Sequence, residues 1–339
     1  KDPSRNKEYS GVIGDPEFIA LAIKFAYGQY FDQTNIAAIQ TLSGTGACRL
    51  GGQFLANFAP VKKILVPDPT WGNHFDIFQA CGLEVSQYRY YNRSSNNLDF
   101  DGMVTDIQNA SCGTIVLLHV CAHNPTGIDP SIEQWKKISS LCKERNLQVL
   151  FDCAYQGFAS GNPEADAFAL RYFASQGHSI VVAQSFSKNF GLYGERCGTL
   201  SIMTADIDQK EKVLSQLKCM IRPMYSTPPI HGASIVKTIL SNSDLTNQHQ
   251  RECKMMANRI ILMRKILVEM LNETGSTLDW THISRQCGMF AFSGMSRQMC
   301  ERLTAEFAIF LTLDGRISLA GLNNDNVEYV AKAIHEVTK

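Results

Sequence analysis

The run Ser179-Ile180-Val181-Val182-Ala183-Gln184-Ser185-Phe186-Ser187-Lys188 passes from apolar residues into hydroxyls and a single lysine. Its apolar half reads as a strand over 179–184, too short for a helix and lacking the polar alternation of a half-wetted sheet. Working outward, the same pattern recurs, with strands expected at 36–42, 63–66, 84–90, 114–120 and 148–151. Helices are expected between them, at 15–30, from a glycine turn to about 57, and at 71–81, 100–108, 131–145 and 164–175. Asp15-Pro16-Glu17 supplies the first helix with an N-cap, a first helical residue and an acidic first turn. Trp135, Ile138, Leu141 and Cys142 give 131–145 one apolar face. Alternation of this kind predicts an α/β fold, a mostly parallel sheet covered by helices on both faces.

From about 206 the chain reads as largely helical, with a long helix over 245–271. Short strand-like stretches follow at 287–292 and 316–319, which predicts a smaller α+β domain. The boundary is set at a large domain over 1–255 and a small one over 256–339. Lys+Arg and Asp+Glu number 32 each, so no overall field draws nucleic acid or an anionic membrane, and neither is an expected partner. The longest apolar runs are strand-sized and too short to span a bilayer as a helix. Eleven cysteines without a Cys-x-x-Cys pair read as small buried hydrophobes in a reducing compartment.

Four polar motifs fall at expected strand ends, where open α/β sheets place their ligands. They are Ser43-Gly44-Thr45-Gly46, Asn124-Pro125-Thr126-Gly127, Asp152-Cys153-Ala154-Tyr155 and the stretch from Ser185 to Lys188. The first leads into a helix whose free N–H groups and dipole suit a phosphate. Lys188, with Ser185 before it and Arg196 beyond, has the setting of a Schiff-base lysine beside a phosphate cup, because a desolvated ammonium loses its proton readily. Three rival readings fall away. A dinucleotide fold lacks its third glycine, since Ala47, Cys48 and Arg49 follow Gly46. The Ser185-x-x-Lys188 match to penicillin-binding enzymes lacks its companion triplets. His119, Cys121 and His123 alternate as metal ligands on a strand would, but no fourth ligand stands at suitable spacing, so no metal is expected.

Long stretches of the chain resemble the aspartate aminotransferase family of class I pyridoxal-phosphate enzymes. The matches are 185–196, 119–127, 152–160 and Arg222-Pro223-Met224-Tyr225-Ser226, and the likeness runs over essentially the whole length. It implies a seven-stranded, mostly parallel sheet and pyridoxal 5'-phosphate as cofactor. The implied reaction is ping-pong transamination between L-aspartate and 2-oxoglutarate, with the cofactor in Schiff-base linkage to Lys188. Asp152 would pair with the pyridinium nitrogen, Tyr155 and Asn124 would bond the phenolic oxygen, and Trp71 would stack on the ring. His74 and His119 would stand behind Asp152. Gly44, Thr45, Ser185 and Arg196 would form the phosphate cup, with Ser43 lining it and Tyr9 reaching in from the neighbouring subunit.

Arg316 would take the substrate α-carboxylate as a two-pronged fork. Arg222, again from across a homodimer interface, would take the side-chain carboxylate, with Ser226 nearby. Dicarboxylic amino acids and 2-oxo acids are thus the expected partners. An aromatic-amino-acid transaminase uses nearly the same residues, and a non-catalytic binding protein could retain the fold. Tyr225 and Thr227 stand where many relatives have Trp and Asn. The sequence opens on Lys1-Asp2-Pro3 rather than Met, so its start is expected to be missing and any targeting peptide with it; by the resemblance, it starts past the family's N-terminal arm and glycine-bearing loop. Phrasing around Lys188 leans toward the cytosolic form, with a mitochondrial one not excluded.

Overall fold

Val116 and Leu118 pack into one hydrophobic cluster, while Ile115 and Leu117, alternating with them, pack into another. The same split separates Val149 and Phe151 from Leu150, and Ile180 and Val182 from Val181 and Ala183. Successive strand side chains point to opposite faces, so a sheet with a core on each side explains the unbroken apolar runs. The computed structural model describes residues 7–29 and 31–339.

In chain order the strands are β1 (Ile36–Leu42), β2 (Lys63–Asp68), β3 (Glu84–Arg89), β4 (Tyr91–Asn92), β5 (Asn97–Leu98), β6 (Ile115–His119), β7 (Gln148–Cys153), β8 (Ile180–Ser185), β9 (Cys197–Met203), β10 (Phe290–Phe292) and β11 (Arg316–Ser318). Seven form one sheet in the order β1-β9-β8-β7-β6-β2-β3. β3, β2, β6, β7 and β8 run parallel, whereas β9 is antiparallel to both β8 and β1. The expected α/β architecture is therefore present. The strands as read from the sequence omit β9, whose Gly198, Thr199 and Ser201 interrupt its apolar run.

Helix ends follow their caps. Asp15 accepts from the N–H groups of Glu17 and Phe18 at the start of Pro16–Tyr27, and Ser131 and Gln134 close a reciprocal capping box on Ile132–Glu144. The helix expected at 164–175 is two, Pro163–Asp166 and Phe168–Ser175, broken at Ala167. The end of the first expected helix, at 30, lies outside the described residues. The long helix extends over Ser243–Glu273. Its buried face, with Met263, Leu267 and Leu271, packs with Ile317, Leu319, Ala331 and Ile334 in a third cluster, which also takes in Tyr155 and Phe158. This C-terminal core, including β10 and β11, leans on the carboxyl-end loops of the main sheet. No helix among the described residues is long and apolar enough to cross a membrane.

Candidate active site

A cavity of about 420 Å³ opens at the carboxyl edge of the parallel strands. β1 delivers Ser43, β6 Asn124, β7 Asp152 and Tyr155, and β8 Ser185 and Lys188; Gly44, Thr45, Trp71, Arg196 and Arg316, also expected, stand on its walls. Arg196 arrives because β9 runs backwards, pairing Cys197 with Leu42 and Gly198 with Ser185. Gly198 permits this packing: a Cβ there would stand 2.6 Å from the Ser43 carbonyl carbon and 2.5 Å from the Gln184 oxygen. Ser43–Gly46 is not a turn before the helix, as read from the sequence, but the first turn of the helix Ser43–Phe58 itself.

That helix starts without a side-chain cap. Hydroxyls crowd its end instead: Ser43 Oγ lies 3.0 Å from Ser185 Oγ and 2.7 Å from Ser187 Oγ. Ser43 and Arg196 both hold left-handed backbone, φ 60° and 51°, as do Ala122 and Ser226. Non-glycine residues adopt this region only where surrounding structure compels it, and such residues gather at functional sites. Uncapped N–H groups, three hydroxyls, Arg196 and Lys188 make a donor set suited to a phosphate.

Across the cavity, one hydrogen-bonded chain leads to Asp152. The Asn124 N–H donates to His119 Nδ1 at 3.2 Å, so His119 carries its proton on Nε2, 3.3 Å from Thr70 Oγ1. The Thr70 hydroxyl is then free to donate to His74 Nδ1 at 2.8 Å, and His74 Nε2–H donates to Asp152 Oδ2 at 3.1 Å. Burial pulls His119 down to about 3, which keeps it neutral, and holds His123 well below its ordinary range. Burial alone would raise Asp152, but its place beside His74, first of all their hydrogen bond, outweighs this, with Lys188 adding least, so its carboxyl sits below the usual range. An ionised carboxylate faces the cavity, as pairing with a protonated ring nitrogen requires.

Burial also lowers Lys188, with the Arg196 charge adding to it and Asp152 opposing; Lys188 Nζ stands 5.1 Å above the Tyr155 ring. Asn124 Nδ2 lies 3.5 Å from the Tyr155 hydroxyl, and Arg316 donates to Asn124 Oδ1 at 2.7 Å while its guanidinium covers Phe290 at 4.3 Å. His119 and His123 stack at 4.3 Å, one bonded to Thr70 and the other to Thr126, which occupies them as hydrogen-bonding rings. Among the described residues, Cys48, His74 and Asp152 are the group that brings three possible ligand atoms within 4.8 Å, and two of these already bond each other.

His74 and His119 stand behind Asp152 rather than on the wall, and three residues expected to touch cofactor or substrate, Tyr9, Arg222 and Ser226, stand outside this cavity. Tyr9 is 87 % exposed; Arg222 is exposed at the end of the helix Ile207–Met224 and bonds Ser226 at 2.5 Å. Residues the sequence reading passed over are Thr70, Ser187, Tyr193 and Phe290, the last three on the cavity wall. Thr70 lies two residues past β2, where the strand-end rule could have found it. Thr70→Val should strand His119 Nε2–H and His74 Nδ1 without partners and cost about 1–3 kcal/mol. Urea unfolding of the cofactor-free protein measures this, and a loss under about 0.3 kcal/mol, small even for a surface change, would mean that the bridge is not formed.

The family model for class I and II aminotransferases matches residues 1–334. The chain is 53 % identical over 335 residues to the mitochondrial aspartate aminotransferase of Dictyostelium discoideum, covering 98 % of this chain and 79 % of that one. Its structure is similar to that of the cytoplasmic aspartate aminotransferase of Saccharomyces cerevisiae, with a TM-score of 0.97, 42 % identity and coverage of 99 % and 84 %. It is similar also to the aromatic-amino-acid aminotransferase of Burkholderia pseudomallei, solved covalently bound to pyridoxal phosphate, with a TM-score of 0.96, 40 % identity and coverage of 99 % and 85 %. Relatives of this kind thus occur in both mitochondria and cytoplasm. A family match over nearly the entire length, carried by a seven-stranded sheet whose strand ends gather the expected lysine and aspartate, means that this chain belongs to the class I and II aminotransferases.

Proposed function

We propose that this enzyme is an aspartate aminotransferase whose chemistry runs in the cavity around Lys188. It moves the amino group of L-aspartate onto 2-oxoglutarate in two half-reactions, giving oxaloacetate and L-glutamate. One observation carries the reading: Lys188, Arg196 and Arg316 line a single cavity in which, among the described residues, Asp152 is the one carboxylate. Such a cavity suits a ligand bearing a phosphate together with a substrate bearing carboxylates.

Pyridoxal phosphate, when bound, supplies an aldehyde that takes up amino groups and a ring that accepts electrons. Ser43, Gly44, Thr45, Ser185 and Arg196 would hold its phosphate, joined by Ser187. Asp152, kept ionised by His74, would hold the proton on the ring nitrogen. Asn124 and Tyr155 would bond the ring oxygen, and Trp71 would cover the ring face. Lys188 Nζ, released from its bond by the incoming amine, would take the proton from the substrate α-carbon and deliver it to the cofactor's C4′ carbon. Its lowered proton affinity favours the free amine that this needs. Arg316 would turn from Asn124 to the substrate α-carboxylate as a two-pronged donor.

The site would be shared by two copies of the chain. Tyr9 and Arg222 lie clear of their own cavity, and Ser10 Oγ bonds the Pro228 carbonyl at 2.9 Å, which brings both segments to one face. In a two-fold dimer each would serve the partner's cavity, Tyr9 at the phosphate and Arg222, with Ser226, at the substrate side chain. Residues 1–255 would bind the cofactor and 256–339 would cap it. We place the enzyme in the cytoplasm, in keeping with eleven unpaired thiols.

Absorbance tests the reading. The loaded protein should be yellow, and L-aspartate should bleach it as the amine form accumulates. Bleaching by phenylalanine at matched concentration and rate would favour the aromatic-amino-acid activity of the Burkholderia relative instead.

A further inference from the structure

Asn124 and Tyr155 meet across the cavity, yet neither lies on a regular element; each rides on a loop beyond a strand end. Asp129 closes the first loop. Its Oδ2 accepts the Ala122 N–H at 2.6 Å and its Oδ1 the His123 N–H at 2.9 Å, with the Cys287 thiol at 3.3 Å from Oδ2. Ala122 holds φ 49°, a conformation with its own cost, so this grip keeps a strained turn in place just before Asn124. Asp166 closes the second loop. It is 6 % exposed and accepts the N–H groups of Gly157 at 2.8 Å, Ala159 at 3.1 Å and Ser160 at 3.1 Å, and the Ser160 hydroxyl at 2.6 Å.

The two carboxyls line one cavity of about 250 Å³, which shares no lining residue with the cavity around Lys188. Burial raises both above the usual range, a cost retained only where the N–H groups they satisfy have no other partner.

We propose that Asp129 and Asp166 are positioning residues that hold Asn124 and Tyr155, through the backbone of their loops, at the distance needed to share the oxygen of the cofactor ring. This rests on the assignment of Asn124 and Tyr155 to that oxygen. A carboxylate accepts N–H groups at both of its oxygens, whereas an amide of the same size accepts at one end only and its NH2 end repels the donors that the other oxygen held. Asp129→Asn should therefore loosen the Asn124 loop, and Asp166→Asn the Tyr155 loop, with little change in volume.

The test has two readouts. In the cofactor-free protein, hydrogen exchange at Ala122 and His123 should accelerate at least about tenfold in Asp129→Asn, and at Gly157, Ala159 and Ser160 in Asp166→Asn. In the loaded protein, the pH midpoint of the cofactor's visible absorbance should rise by about one unit in each, a tenfold change in proton affinity. Tyr155→Phe should move the midpoint in the same direction. If it does not, the assignment at the ring oxygen fails and the midpoint says nothing for the two aspartates. Asp15→Ala, which removes a distant helix cap, controls for lost stability and should leave the midpoint in place. Faster exchange with an unmoved midpoint, or an equal shift in Asp15→Ala, would overturn the proposal. If an asparagine variant does not fold, the glutamate variant, which displaces the oxygens by one methylene, takes the same reading.

Discussion

Lys188→Ala is expected to lower aspartate turnover about 10,000-fold, the upper range for loss of a positioned proton carrier. Among the described residues Lys188 Nζ is the one amine on the cavity wall, and the guanidinium groups of Arg196 and Arg316 are hydrogen-bond donors without an acceptor. Cofactor affinity should suffer less than turnover, because the hydroxyls, Arg196 and the start of the helix Ser43–Phe58 remain. Borohydride should fix the cofactor to Lys188 in the unmodified protein and to no lysine of the variant. Peptide mapping reads the attachment and coupled assay the rate. A label on another lysine, or a variant that keeps more than about a hundredth of the rate, would contradict the role given to Nζ.

Arg222→Asp should be nearly as damaging, but selectively. Turning a carboxylate-binding fork into a repulsion costs about 3–5 kcal/mol, or roughly 100- to 4,000-fold in kcat/KM for aspartate. Alanine and phenylalanine, with no side-chain carboxylate, should lose less than about tenfold. Equal losses for all three would show that Arg222 does not read that group. Because Arg222 is exposed and lies off its own cavity, the same variant tests whether sites are shared. Lys188→Ala and Arg222→Asp dimers should each be almost inactive. In a mixed dimer, the site with native Lys188 borrows native Arg222 from the Lys188→Ala chain. Random exchange between equal pools makes half the dimers mixed, each with one sound site, so about a quarter of full activity should return. Differently tagged chains establish that exchange occurred. Mixed dimers without recovered turnover would put Arg222 in the home site or in none.

Most of the cavity was legible because strand ends announce themselves. Lys188, Asp152, Asn124 and Ser43 each follow an apolar run, and one rule about ligands in open sheets places them together. Thr70 obeys the same rule and was passed over because the expected strand stops at 66, with Pro67, Asp68 and Pro69 between it and Thr70, whereas β2 itself runs on to Asp68. Phe290 carried no such signal, since β10 is three residues long and belongs to a different sheet. The break at Ala167 was hidden because the apolar spacing runs through it. The left-handed backbone at Ser43, Ala122 and Arg196 was also hidden: no glycine marks it, and packing rather than residue preference imposes it.

The sequence by itself determined the α/β class, the covered sheet and the set of polar strand ends, since these depend on burial periodicity over a few residues. Tertiary structure alone decided how that set converges. It reversed β9 and so brought Arg196 to the cavity wall that Ser43 and Ser185 share, and it ran the hydrogen-bonded chain through Thr70 and His74 to Asp152. It joined Arg316 to Asn124, 192 residues apart, and left Tyr9 and Arg222 outside their own cavity. Direction, register and convergence are set by contacts between distant segments, and a distant contact leaves no period in the chain from which it could be read.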